Sequence, residues 1–235
     1  MERGQDRPDL IIFDCDGVLV DSEMLSCQCL TDVLASYGIT LELAAALELF
    51  LGRSTAAILQ HYAVQGRALP DDFLADLKSR VRESFEASLR PIKGVSSLLE
   101  TLPIPHCVAS SSDIERVSFS LARTGLAPYF DDRVFTSEMV ARGKPAPDLF
   151  LYTADRMQTA PARTLVIEDS VSGVMAAKAA GMQVWGFSGG SHYESRNGRG
   201  ILQAAGADRV FDRMADFWRE GQGDGSDRGR KIPPG

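Results

Sequence analysis

From Pro91 onward the chain alternates short apolar runs with helical stretches, and this rhythm constrains the fold more than any other feature of the sequence. Strands are expected at 106–109, 133–136, 164–167, 183–187 and 209–211, with helices at 94–102, 113–124, 146–157, 171–180 and 212–219. Between Phe187 and Arg209 only a loop at 188–192 is assigned. Strands at this spacing, with helices between them, make a parallel sheet joined by right-handed crossovers. The first strand lies far upstream, in the apolar run Leu10–Phe13.

Between that run and His106 no good strand occurs, and the hydrophobic period is that of a helix. Helices are expected at 24–37, 42–51, 54–65 and 71–89, with Ser54 capping the third and Pro70 opening the fourth from its first turn. The expected fold is therefore α/β: a doubly wound parallel sheet (Rossmann-like) core with an inserted helical-bundle cap. Residues 1–21 and 91–220 would form the core and 22–90 the cap. The stretch 221–235, rich in glycine and charge, has too little to bury and is expected to be disordered.

Composition narrows the class of function. A formal net charge of −7 argues against nonspecific nucleic-acid binding, which calls for a basic surface, but leaves a small anionic substrate open. No apolar run approaches the roughly 20 residues of a membrane span, and no signal-peptide pattern opens the sequence. A cytoplasmic location is expected, without nucleic-acid or membrane partners, for a monomer or weak homodimer. Cys15, Cys27, Cys29 and Cys107 have neither disulfide-framework density nor zinc spacing, so four free thiols are expected.

Polar residues collect where four parallel strands end. Asp14 and Asp16 follow the first strand, with Gly17 allowing a sharp turn; Ser110, Ser111, Ser112 and Asp113 follow the second. Lys144 stands in a Gly-Lys-Pro loop, one of only five lysines among 25 basic residues, and Glu168, Asp169 and Ser170 follow a later strand. Singly, Ser112 or Asp113 could cap a helix, and the acids could favour a helix N-terminus. Jointly, acids, hydroxyls and a lone lysine on one rim suit phosphoryl chemistry.

These four stretches, Asp14-Cys15-Asp16-Gly17-Val18-Leu19-Val20-Asp21-Ser22, Val108-Ala109-Ser110, Lys144-Pro145 and Glu168-Asp169-Ser170 with Gly173, resemble in order the motifs of the haloacid dehalogenase-like hydrolase superfamily. The insertion after the first motif resembles the helical-cap subfamily of β-phosphoglucomutase and sugar-phosphate phosphatases. The resemblance implies Asp14 as nucleophile, forming an aspartyl-phosphate, and Asp16 as the acid that protonates the leaving alkoxide and the base that then activates water. It implies a Mg²⁺ ion held by Asp14, the Asp16 carbonyl and Asp169, with Glu168 either a direct ligand or just behind. Ser110 and Lys144 would hold the transferring oxygens.

Activity class follows from smaller signs. Dehalogenases of this type lack the second acid, so Asp16 points to phosphate monoesters of small metabolites, such as sugar or polyol phosphates. Phosphonate cleavage is disfavoured, because the only lysine between Asp21 and Pro91 is Lys78. A phosphosugar mutase of the β-phosphoglucomutase type is the alternative; Asp113, where such enzymes tend to carry a basic residue, tilts the choice to a phosphatase. A catalytically silent binding protein is the third reading, opposed by a competent residue at every matched position. Candidate substrate contacts are Ser111, Arg53 in the Gly52-Arg53-Ser54 loop, and His192 on a mobile rim loop.

Overall fold

The structure, a computed structural model, describes residues 7–218; the stretch 221–235 lies outside them. β1 (Leu10–Phe13) is buried at all four positions. Leu10 and Ile12 join one core cluster with Cys107, Leu149 and Val166, whereas Ile11 and Phe13 join another with Val108, Leu121 and Leu165. Successive strand residues point to opposite faces, and with both faces covered no position in β1 is left for a polar side chain.

β2 (His106–Ser110), β3 (Val134–Thr136), β4 (Thr164–Glu168), β5 (Gln183–Phe187) and β6 (Arg209–Phe211) complete a six-stranded sheet in the order β3-β2-β1-β4-β5-β6. Every neighbouring pair is parallel. The chain winds outward from β1 through β2 to β3, then crosses to the other side of β1 to begin β4. Such a reversal opens a crevice at the carboxyl ends of the central strands, because the connections on either side lead away from each other.

Four helices follow β1: α1 (Glu23–Ser36), α2 (Leu43–Phe50), α3 (Thr55–Val64) and α4 (Phe73–Ser88). Along α4 the buried residues are Phe73, Leu77, Val81 and Phe85, a stripe at intervals of four that packs with Leu30 and Leu34 of α1. Departure and return of the chain are tied together. The Asp21 amide donates to the Arg90 carbonyl at 3.0 Å, and the Ile92 amide to the Leu19 carbonyl at 2.9 Å. The helices are thus carried on a two-stranded stem beside the carboxyl end of β1.

The remaining helices are α5 (Val95–Thr101), α6 (Ile114–Arg123), α7 (Asp148–Arg156), α8 (Val171–Ala179) and α9 (Gly198–Ala204). α9 is absent from the expectation, since Gly198 and Gly200 weaken any helical signal. Space requires the first of these glycines: a Cβ at Gly198 would sit 2.6 Å from the Tyr193 ring. The helix expected at 212–219 is corrected over its described residues to a short 3₁₀ turn, Met214–Asp216. The Arg209 guanidinium binds the carbonyls of Asp216 and Phe217 at 2.6 and 2.7 Å, removing acceptors that a continuing helix would use. Ser54 does occupy the N-cap position of α3, but its side chain makes no capping bond. Pro70 precedes α4 rather than starting it; its carbonyl accepts from the Phe73 amide.

Candidate active site

Asp14 and Asp16 leave the end of β1 with separate partners. The Lys144 ammonium lies 2.6 Å from Asp14 Oδ1 and 2.6 Å from Glu168 Oε1, and also donates to the Ala109 carbonyl at 3.0 Å. Its side chain is 1% exposed. A lysine buried this deeply stays charged only beside carboxylates; burial works against its charge, but Asp14 and Glu168 hold its pKa above the ordinary value. The chain supplies the approach through Gly143 and Pro145, which carry Lys144 from the β3 side of the sheet toward β1 and β4.

Asp16 is held by three donors. Ser22 Oγ lies 2.6 Å from Oδ1, an Arg116 nitrogen 2.8 Å from the same oxygen, and Ser112 Oγ 2.7 Å from Oδ2. Burial raises the Asp16 pKa, but the guanidinium and the three hydrogen bonds outweigh it and hold the carboxyl below its usual range. Asp14 behaves oppositely. Burial, together with the Glu168, Asp169 and Asp16 charges, pushes it well above the ordinary range despite Lys144. The surroundings thus push the two acids on one loop in opposite directions.

At the end of β4, Glu168 is completely buried. Its Oε2 accepts from the Ser170 amide at 3.1 Å and hydroxyl at 2.9 Å, and that same hydroxyl caps α8 by accepting from the Gly173 amide. A Cβ at residue 173 would overlap the Glu168 carboxylate, so glycine is required there. Asp169, 1% exposed, has neither carboxylate oxygen hydrogen-bonded. Burial and Glu168 raise its pKa. Gly17, at φ +74°, makes room for it, since a Cβ there would overlap the Asp169 carboxylate.

Magnesium fits this donor set. Asp14, Glu168 and Asp169 each offer a carboxylate oxygen, all within 4.8 Å of one another. Oxygen donors alone suit a hard cation, and the two orphaned Asp169 oxygens lack the partner that buried polar atoms ordinarily have. Three carboxylates against one ammonium leave an excess of two negative charges when all are ionised, which one divalent cation neutralises.

A cavity of about 180 Å³ opens beside Asp14 and Asp16. Ser110, Ser111, Arg53 and Arg116 line it, as do apolar residues of α1 and α4 including Leu30 and Phe85. Gly52, at φ +66°, brings the Arg53 loop against β4's end: a Cβ there would overlap Ser170, and the Gly52 carbonyl accepts from Ser172 Oγ at 3.3 Å. Ser110 is buried, its Oγ accepting from the Ser112 amide at 3.1 Å. Asp113 caps α6 by accepting from the Arg116 amide, and pairs with Lys78 of α4 at 3.1 Å.

His192 departs from its expected place. It sits in a tight 3₁₀ turn, Ser191–Tyr193, is 1% exposed, and does not line the cavity. Asp21 draws this turn inward by accepting from the Ser191 amide and hydroxyl at 3.0 and 2.8 Å, and Tyr193 donates to the Asp169 carbonyl at 2.6 Å. His192 Nε2 ends 3.1 Å from Asp169 Oδ2, an ion-pair distance that lies off the axis of a hydrogen bond. Burial lowers its pKa and favours the neutral ring.

Three site residues escape the sequence pattern. Arg116 also holds Ser26 Oγ at 2.9 Å and lies over the Phe85 ring, so it joins the first helix, the sheet and the fourth helix. Position 113 carries an acid, and the cation that binds Asp16 stands three residues later, one helical turn on. Glu23, buried at the start of α1 and facing the cavity, has its pKa pushed up to about 8 by burial and by the Asp169 and Asp16 charges. Its signal is an acid directly after a motif, indistinguishable in sequence from a helix-start acid. Ser22, bonded to Asp16, lies at the motif's end.

Comparison with known proteins agrees with these features. A family model described as haloacid dehalogenase-like hydrolase matches residues 11–187. The 6-phosphogluconate phosphatase of Escherichia coli is 28% identical, over 79% of this chain and 85% of its own. A phosphorylated carbohydrates phosphatase of Thermotoga maritima is 33% identical, over 83% of this chain and 90% of its own. Among solved structures, a haloacid dehalogenase-like protein of Agrobacterium tumefaciens has a TM-score of 0.75 at 38% identity, covering 89% of this chain and 95% of that one.

Proposed function

This chain belongs to the haloacid dehalogenase-like hydrolases, and from that premise we propose that it hydrolyses phosphate monoesters of small phosphorylated carbohydrates with the help of Mg²⁺. The observation that carries the reading is the separation of the two acids on one loop: Asp14 bound to Lys144 beside Glu168 and Asp169, Asp16 bound to Arg116, Ser22 and Ser112 beside the cavity. In this reading Asp14 would work beside the metal-binding carboxylates and Asp16 would face the leaving group.

Asp14, Asp169 and the Asp16 carbonyl would hold the cation, with Glu168, which also binds Lys144 and Ser170, either a direct ligand or just behind them. When bound, the cation would supply positive charge that favours the ionised form of Asp14 and shields it from the phosphate dianion. Lys144 occupies Asp14 Oδ1, leaving Oδ2 to attack phosphorus and form an aspartyl-phosphate. Asp16 gives a proton to the departing alkoxide, then removes one from the water that cleaves the intermediate. Its depressed resting pKa suits the base role; for the acid role the incoming dianion must raise it, as a nearby like charge does. Ser110 and Lys144 steady the transferring oxygens, and Ser111 and Arg53 face the substrate in the cavity.

Residues 22–90 would act as a cap hinged on the stem at Asp21 and Arg90, over a core of 1–21 and 91–220. Such a lid excludes water and contributes substrate contacts. No single described helix is long and apolar enough to cross a membrane, and the reading places a monomer or weak homodimer in the cytoplasm. A mutase is not favoured, because Asp113 is committed to capping α6 and pairing with Lys78.

The test is release of inorganic phosphate from p-nitrophenyl phosphate, 6-phosphogluconate and fructose 1-phosphate. Activity should require Mg²⁺, stop with EDTA and disappear in Asp14→Asn. Full turnover by that variant would remove the nucleophile assignment, and conversion of β-glucose 1-phosphate to glucose 6-phosphate without free phosphate would favour the mutase.

A further inference from the structure

We propose that His192 is a positioning residue of the metal site: its imidazole holds the Asp169 carboxylate toward Asp14 and Glu168, ready for a divalent cation. The proposal rests on the reading of Asp14, Glu168 and Asp169 as the metal site. Both partners are almost fully enclosed, each 1% exposed, and Nε2 lies 3.1 Å from Oδ2. Among the described residues no hydrogen bond reaches either Asp169 oxygen, and the one lysine, arginine or histidine side chain at ion-pair distance from them is His192. Burying an imidazole with two polar nitrogens is unfavourable where an apolar side chain could fill the space. Its presence therefore calls for an interaction worth the cost.

The surroundings leave the ring little freedom. A Cβ at Gly190 would come within 2.6 Å of its Cε1, and one at Gly17 within 3.1 Å of the same atom, so two glycine backbones flank it. The turn that carries His192 is tied to the β1 loop through Asp21 and Ser191, and to the β4 loop through Tyr193 and the Asp169 carbonyl. Three loops thus determine where Nε2 stands relative to Asp169. With its proton on Nε2, the neutral ring sets the positive edge of its N–H 3.1 Å from Oδ2, off the axis of a hydrogen bond, and opposes rotation of the carboxylate away from it, a restraint that no hydrogen bond from another described residue supplies. Partners behind a metal ligand commonly act this way, and losing one typically weakens metal binding about 10–100-fold.

The test measures Mg²⁺ affinity by isothermal titration calorimetry on the full chain without substrate. His192→Leu, which keeps bulk and removes the donor, should bind Mg²⁺ about 10–100-fold more weakly. His192→Gln, whose amide nitrogen reaches the place of Nε2, should stay within about threefold of the parent. Should the leucine variant fail to fold, His192→Asn replaces it; its shorter amide falls at the place of Nδ1 and should show the same loss. Equal affinity in all variants, or equal losses in His192→Gln and in the variant lacking the donor, would overturn the proposal. Since no turnover is read, failure here leaves the phosphatase reading standing, and an inactive chain could still pass.

Discussion

Replacing Lys144 by methionine keeps most of the side-chain volume but deletes the one cation between Asp14 and Glu168. The ammonium is 1% exposed and 2.6 Å from each carboxylate, so neither solvent nor another side chain can take its place. Removing one partner of a buried ion pair costs about 3–5 kcal/mol, because the remaining charge is left uncompensated. Part of this cost is avoidable, since a carboxyl can take up a proton. Burial and neighbouring acids already push Asp14 above the usual range with only Lys144 opposing them, so the variant should raise it further. A carboxyl raised on folding contributes its full stability below the unfolded carboxyl range and loses it as pH climbs through the folded value. The penalty should therefore be near about 1–2 kcal/mol at pH 5 and reach about 3–5 kcal/mol at pH 8. Urea unfolding of both proteins in EDTA at pH 5, 6.5 and 8 reads it directly, and turnover with Mg²⁺ should fall at least about 100-fold. A loss under about 1 kcal/mol at pH 8, or a larger loss at pH 5 than at pH 8, would refute the electrostatic account.

Mg²⁺ at about 100 times its dissociation constant should stabilise the chain by about 2.7 kcal/mol, raising Tm by about 5–11 °C; a similar rise in Asp169→Asn would argue against Asp169 as a ligand. Glu23→Gln should flatten the stability profile measured in EDTA. Because burial pushes Glu23 up to about 8, its contribution is full at low pH and lost as pH rises toward 8, so the variant should be the more stable at pH 8, by up to about 4 kcal/mol. A parallel profile in the two proteins would dismiss that assignment. Gly173→Ala forces a Cβ into the Glu168 carboxylate and should cost about 1–3 kcal/mol in urea unfolding. A gain of about 1 kcal/mol, as expected for an unobstructed helical glycine, would show the overlap to be relieved elsewhere.

Much of the fold follows from periodicity alone. Leu10–Phe13 reads as a two-sided buried strand, and the β/α alternation after Pro91 leads to the parallel sheet with its loops on one edge. Asp14, Asp16, Ser110, Glu168 and Asp169 are legible as candidates because each stands where a strand ends, and Lys144 because it is a rare lysine in a Gly-Lys-Pro loop; both are local properties that neighbouring residues define. The four helices between β1 and β2 are legible for the same reason, each carrying its own 3.6-residue pattern. α9 is not, because the close approach of Gly198 to Tyr193 sets its glycine, and that contact has no trace in local pattern.

Pairings are a different kind of information. Nothing near Asp16 announces that a guanidinium from residue 116 will meet it, or that Glu168 will be pinned between Lys144 and Ser170. His192 shows the difference most clearly: its place in a glycine-rich loop suggests an exposed rim, yet Asp21 and Asp169 draw it into the interior. Side-chain periodicity and strand-end position are settled within a few residues, so they can be read along the chain. Which loops face one another depends on the order in which the strands assemble, and that order is decided only when the crossovers pack against both faces of the sheet.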